Sequence, residues 1–103
     1  MRRQINALYL ARTAAASAPD DPQITDTLGW LLFKRGDYAG SLAALEQAAA
    51  KLSNDPAVLY HLGVARAKAG DVGGARASLS RALDSRANFP ERDAAQKALA
   101  SLR

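Results

Sequence analysis

Apolar residues recur along this chain at helical spacing in short runs, and each run is closed by the same punctuation. Ile24, Leu28, Leu31 and Leu32 fall on one side of a helix, followed after a break by Leu42, Leu45, Ala48, Ala49 and Leu52. Val58, Leu62 and Ala65, then Ala75, Leu79, Ala82 and Leu83, repeat the pattern further on. Asp21-Pro22 and Asp55-Pro56 each set a capping carboxylate before a proline at the first helical position, where a missing N–H costs nothing. Gly36 and Gly70 suit the left-handed stop that ends a helix, and Asp37 and Asp71 can cap the next one. The pattern predicts helices at roughly 22–35, 38–52, 56–69 and 72–85.

The punctuation is periodic. Pro22, Pro56 and Pro90 stand 34 residues apart, and Leu28-Gly29, Gly36-Asp37, Gly40, Ala43, Leu45, Ala48 and Asn54 return as Leu62-Gly63, Gly70-Asp71, Gly74, Ala77, Leu79, Ala82 and Asn88. A fixed period of this size means stacked helix pairs rather than one globular core. Gly29 and Gly63 sit inside helices at a propensity cost of about 1 kcal/mol each, which close helix approach must offset. The small residues Ser41 and Ala75 are the neighbours expected there.

Leu28-Gly29 with Ser41, Leu45 and Ala48, repeated as Leu62-Gly63 with Ala75, Leu79 and Ala82, resembles the tetratricopeptide repeat, whose period is also 34. The resemblance covers nearly the whole chain and implies an all-α, right-handed α-solenoid of antiparallel helix pairs. In that register the chain is a single domain, 1–103, with full repeats at 22–55 and 56–89. Ala14 falls opposite Ala48, and Pro19 takes the usual proline slot, where Ser53 and Ala87 stand later, so 4–17 reads as the second helix of a truncated repeat. That half repeat makes the chain read as an excised, C-terminal portion of a longer bacterial array. After Pro90, Ala94, Ala95, Ala98, Leu99 and Leu102 form one stripe, and Gln96-Lys97 replaces Leu-Gly, so 90–103 reads as a capping helix. Thr25 and Leu59 replace a frequent tryptophan. Arg66 replaces a large packing residue and is expected to snorkel, or to pair with Glu91 or Asp93.

Composition narrows the chemistry. Aromatics are only 6% of the chain and alanine and leucine dominate its apolar residues, which favours helices over strands. Fourteen basic against ten acidic residues leave a charge of +4, too little to indicate nucleic acid. The arginines that such binding would use, among them Arg76, Arg81 and Arg86 spaced five apart, make no single stripe. Cysteine is absent, which removes disulfides and thiolate chemistry. No apolar run approaches the roughly 18 to 20 residues of a membrane span. Met1-Arg2-Arg3 before Ile5 to Ala11 loosely imitates a secretory signal, but Asn6 and Arg12 interrupt it.

His61, the one histidine, adjoins the Leu62-Gly63 contact and is expected on a helix surface or in packing rather than as a base. A lone imidazole makes no zinc site, Asp20-Asp21 read as caps, and Gly70 to Gly74 follow a helix and lack a phosphate-loop lysine. No catalytic, cofactor-binding or metal-binding residue is expected, and no cofactor.

The resemblance also implies a site. In the family the first helix of each pair lines a concave, partner-facing surface, whose positions correspond here to Gln23, Asp26, Trp30, Phe33 and Lys34, and to Ala57, Tyr60, Val64, Ala67 and Lys68. Trp30, Phe33 and Tyr60 beside Lys34 and Lys68 read as an aromatic groove with a basic rim, suited to a protein or peptide with acidic groups. Trp30 has a second reading, packed against the first helix of a preceding repeat. The carboxylate clamp of the family needs Lys and Asn where Asp26 and Trp30 stand, so co-chaperone function is not expected. Asp26-Thr27-Leu28-Gly29-Trp30, with Gly36-Asp37-Tyr38 and Tyr60-His61-Leu62-Gly63, resembles bacterial repeat lipoproteins of exopolysaccharide export and the PEP-CTERM system. That narrower resemblance implies the periplasm or outer membrane, and the cytoplasm otherwise. The function expected is a non-enzymatic protein-binding scaffold, with self-association through helix 4–17 as the alternative and weak nucleic-acid binding as a lesser one.

Overall fold

The computed structural model describes residues 6–86 and 88–102. Residues 4 and 5 of the expected first helix, Arg2, Arg3 and Ala87 lie outside them. Among the described residues six helices follow in order: α1 (Ala7–Ser17), α2 (Pro22–Lys34), α3 (Tyr38–Lys51), α4 (Pro56–Lys68), α5 (Val72–Asp84) and α6 (Arg92–Ala100). Among the described residues there is no strand, and no helix is long and apolar enough to cross a membrane.

The helix starts follow from the aspartates. Asp21 accepts from the amides of Gln23 and Ile24, and Asp55 accepts from those of Ala57 and Val58. Asp37 and Asp71 each accept from a single glycine amide, Gly40 and Gly74, so all four cap the helices they precede. These four helices, α2 to α5, each stop one residue short of the expected end. At Gly36 the amide returns to Phe33 O and that of Asp37 to Leu32 O, and Gly70 and Asp71 return to Ala67 O and Arg66 O. These paired bonds close two helices on glycines with φ of 87° and 88°, where any other residue would be strained.

Packing runs from neighbour to neighbour. α2 lies on α3, α4 on α5, α3 on α4 and α5 on α6, with α1 against α2 and a slighter contact of α2 with α4. The molecule is accordingly long, 47 × 24 × 22 Å, as a stack of hairpins must be. One cluster joins Leu45, Leu62 and Ala65; another joins Leu59, Leu79, Ala82, Phe89 and Ala95. α4 is surrounded, burying Val58, Leu59, His61, Leu62, Gly63 and Ala65 around most of its circumference.

Several contacts differ from expectation. Gly29 and Gly63 admit the leucines of the facing helices: a Cβ on either would stand 2.7 Å from Cγ of Leu45 or Leu79, while of the small residues expected there Ala75 adjoins Gly63 through its carbonyl oxygen at 3.3 Å and Ser41 is not among the nearest neighbours of Gly29. The facing leucine is longer than the small residue and reaches further into the gap. Arg66 turns away from the cap helix, donating to Ser78 Oγ at 2.9 Å and lying 3.9 Å from Glu46, because α3 and α5 flank its side of α4. In α2 the buried positions are Thr25, Asp26, Gly29 and Leu32, with Ile24, Leu28 and Leu31 half-buried on the flank. In α6 Ala95 is buried, whereas Ala94 is exposed.

The arginines serve the fold. Arg76 donates to Leu102 O, Arg81 to Ser53 O, and Arg92 to Leu83 O and Ser85 O, each holding a carbonyl in the last turn of a helix or just beyond its end. Asp20 pairs at 3.7 Å with Lys51, in water at the surface.

Candidate functional site

Residues three or four apart on a helix share a face, and on α2 this spacing aligns Trp30 with Phe33 and Asp26. The Trp30 and Phe33 rings lie parallel, 5.1 Å apart at 6°. Trp30 also reaches α4, stacking on the His61 imidazole at 4.2 Å and 21° and touching Tyr60 at 5.6 Å. Tyr38, at the start of α3, meets Phe33 edge-on at 5.2 Å. Four aromatic rings and an imidazole thus form one continuous layer on the side shared by α2 and α4.

Beneath that layer lies an ionisable chain. His61 is 6% exposed and Asp26 8%, and Nδ1 meets Asp26 Oδ1 at 2.9 Å. A carboxylate offers only acceptors there, so Nδ1 carries the proton and Asp26 fixes the orientation of the ring. On the other edge Glu91 Oε2 lies 3.7 Å from Nε2, too far for a hydrogen bond. Burial, and then the charge of Glu91, push the Tyr60 phenol above its ordinary value. The chain Asp26, His61, Glu91 therefore ties α2 to α4 and to the start of α6.

The expected groove residues divide. Trp30, Phe33 and Tyr60 come into direct contact and remain half-buried. Lys34 Nζ stands 5.7 Å from the Trp30 ring and Lys68 Nζ 5.5 Å from that of Tyr38, both lysines being exposed. Val64, Ala57 and Ala67 are half-buried on α4, and Gln23 is exposed in the first turn of α2. Asp26 points into the molecule, with His61 on its carboxylate, rather than toward a partner. Trp30 packs on the following repeat, through His61 and Tyr60.

His61, Glu91 and Tyr38 were not among the expected site residues. Glu91 carried a signal, since it occupies the 34-residue position of Gln23 and Ala57. His61 carried none: it is one residue outside the groove register, and its counterpart Thr27 is exposed. The pair Asp26 and His61 would orient a base, but Nε2 is buried and, among the described residues, has no hydrogen-bond partner to deprotonate. No group of three His, Cys, Asp or Glu among the described residues is placed to hold a metal ion. What the layer offers is contact area with fixed geometry, edged by charge.

A family model, that of the tetratricopeptide repeat, matches residues 27–93, from the first turns of α2 into α6. No curated protein matches the chain.

Proposed function

Because the chain belongs to the tetratricopeptide repeat family, whose members are in general non-enzymatic protein-interaction scaffolds, we propose that it binds a peptide segment of a protein partner across the α2 and α4 side. The observation that carries this reading is the ring layer of Trp30, Phe33, Tyr38 and Tyr60. Its rings are half-buried or exposed, yet they are held by one another and by His61, so binding would cost little side-chain ordering. Aromatic anchors of this kind dominate binding energy at interfaces. Acidic groups of the peptide would lie beside Lys34 and Lys68.

The test is selection of binders from a random peptide library followed by calorimetry. Trp30→Ala and Tyr60→Ala should each weaken a selected peptide at least about tenfold, whereas Gln47→Ala on the exposed side of α3 should leave it unchanged. Equal affinity for all three variants would overturn the reading.

A second reading rests on α1, where Tyr9 and Leu10 are 60% and 55% exposed and only Ala11 is buried. Such an apolar surface suits association of copies through α1. Light scattering should then show a dimer that Tyr9→Ser with Leu10→Ser converts to monomer; a monomer at every concentration would remove this reading.

A further inference from the structure

Two residues turn a side chain about 200° around a helix, so Leu62 and Arg66 leave α4 on the side away from Tyr60 and Val64. There α3, α4 and α5 border a cleft of about 290 Å³, with Ala49, Leu59 and Leu62 as apolar lining and Arg66 and Arg81 among its polar groups. Leu59 and Leu62 are buried, whereas Glu46, Ala50 and Arg81 on the rim are exposed, so the cleft opens to solvent. The ring layer lies on the other side of α4, with Tyr60.

Both guanidinium groups are held in place, and neither is neutralised at close range. Arg66 Nη1 donates to the hydroxyl of buried Ser78 at 2.9 Å, and Arg81 Nη2 donates to Ser53 O at 2.6 Å and Asn54 Oδ1 at 3.4 Å. Each fork keeps further N–H groups beyond these bonds. Among the described residues the ion pair of Arg66 runs to Glu46 at 3.9 Å, too long for a hydrogen bond, and Arg81 has none, although Asp84 lines an adjoining recess with it. The equivalent step of the first repeat lacks this arrangement. Its cleft has Gln47 at the position of Arg81, and buried Leu32 stands at that of Arg66. Its cation, Lys51, already donates to Asp20 O at 3.1 Å and pairs with the carboxylate of Asp20 at 3.7 Å. Stacking of hairpins therefore does not require the two arginines.

We propose that this cleft is a second docking point, which receives a glutamate side chain of a protein partner lying across α3 and α5. It goes beyond the ring layer and does not rest on it. Arg66 and Arg81 against Glu46 leave one positive charge along the cleft, which a carboxylate matches and a doubly charged phosphate exceeds. A guanidinium fork meets carboxylate oxygens in its own plane, while the methylenes of the glutamate rest on the apolar lining. An open cleft does not surround a free small ligand, whose binding needs most of its surface buried, so the carboxylate arrives on a surface that closes over the rim. Glu46, with its side chain 53% exposed, swings aside and yields Arg66 to it. With a peptide on the α2 and α4 side, the chain can then hold two partners at once.

The experiment uses N-acetylglutamic acid α-amide as probe and N-acetylglutamine amide, its neutral counterpart, as control, followed by nuclear magnetic resonance of the Leu59 and Leu62 methyl groups. Wild-type protein at neutral pH should give weak, saturable shifts with the acid and none with the amide. Arg81→Gln, which gives this step the residue type of Gln47, should weaken the response about fivefold, and Glu46→Gln, which removes the competing carboxylate, should strengthen it about twofold. A merely structural Arg81 would not make the response rise with Glu46→Gln. Absence of saturation, an equal response to the amide, indifference to Arg81→Gln at unchanged helicity, no gain from Glu46→Gln, or tighter binding of methyl phosphate would each overturn the proposal. Trp30 and Tyr60 take no part, so this cleft and the ring layer can fail independently.

Discussion

A Cβ built on Gly29 would stand 2.7 Å from Leu45 Cγ, and one on Gly63 would stand 2.7 Å from Leu79 Cγ. Asp37 and Asp71 cap through the third residue that follows each, and Gly36 and Gly70 differ by one degree in φ. On this side the two full repeats are copies. Across the groove they are not: Asp26, Trp30 and Phe33 in the first repeat stand where Tyr60, Val64 and Ala67 stand in the second, and buried His61 answers exposed Thr27. The repeated positions set how hairpins stack, and every stack needs the same solution. The groove positions touch the neighbouring first helix instead, so one repeat can supply a ring and the next the surface it rests on.

If the packing halves are equivalent in energy as well as in shape, matched substitutions should cost the same. Leu45 and Leu79 are both fully buried, so Leu45→Ala and Leu79→Ala should each destabilise by about 3 kcal/mol in denaturant titrations. A difference above about 1 kcal/mol would break the equivalence, since the spread at fixed chemistry reports how well each site collapses.

Gly→Ala at the two close approaches is a finer comparison. Helix propensity favours alanine by about 1 kcal/mol, against about 1 to 3 kcal/mol for overpacking. Gly63→Ala should lose about 1 to 2 kcal/mol net, because Ala75 O stands 3.3 Å from the new methyl and backbone yields little. At Gly29 the third neighbour is the Ala44 methyl, on a side chain, and the loss should be smaller. Thermal melts of the two variants would rank them, and the reverse order would refute the argument.

The smallest expected effect is a gain. Ser41 is fully buried and, among the described residues, its hydroxyl has no partner, at the position where the second repeat has Ala75. Ser41→Ala should stabilise by about 1 kcal/mol by removing a desolvated hydroxyl, making the first repeat more like the second. A lower melting temperature would show instead that the hydroxyl is satisfied in solution.

The boundaries of α2 to α5 were legible from the Asp-Pro and Gly-Asp pairs to within one residue, because caps and stops act through bonds between near neighbours. Trp30, Phe33 and Tyr60 were legible as a cluster because the family register puts them on one side. Arg66 pairs with an acid, but with Glu46 rather than Glu91 or Asp93, since a register says which side a residue takes but not which neighbouring helix supplies its partner. Phe89 escaped notice in a segment without periodicity, yet it completes the cluster under the cap helix.

The sequence by itself determined the hairpins, their period and their capping, all written in φ/ψ preferences and short-range hydrogen bonds. Only the tertiary structure decided that His61 is held by Asp26, 35 residues away, and faced by Glu91 from a third helix. A step of one residue turns a side chain about 100° around a helix, so His61 cannot be placed from Tyr60 beside it. What it meets depends on where three separate helices come to rest.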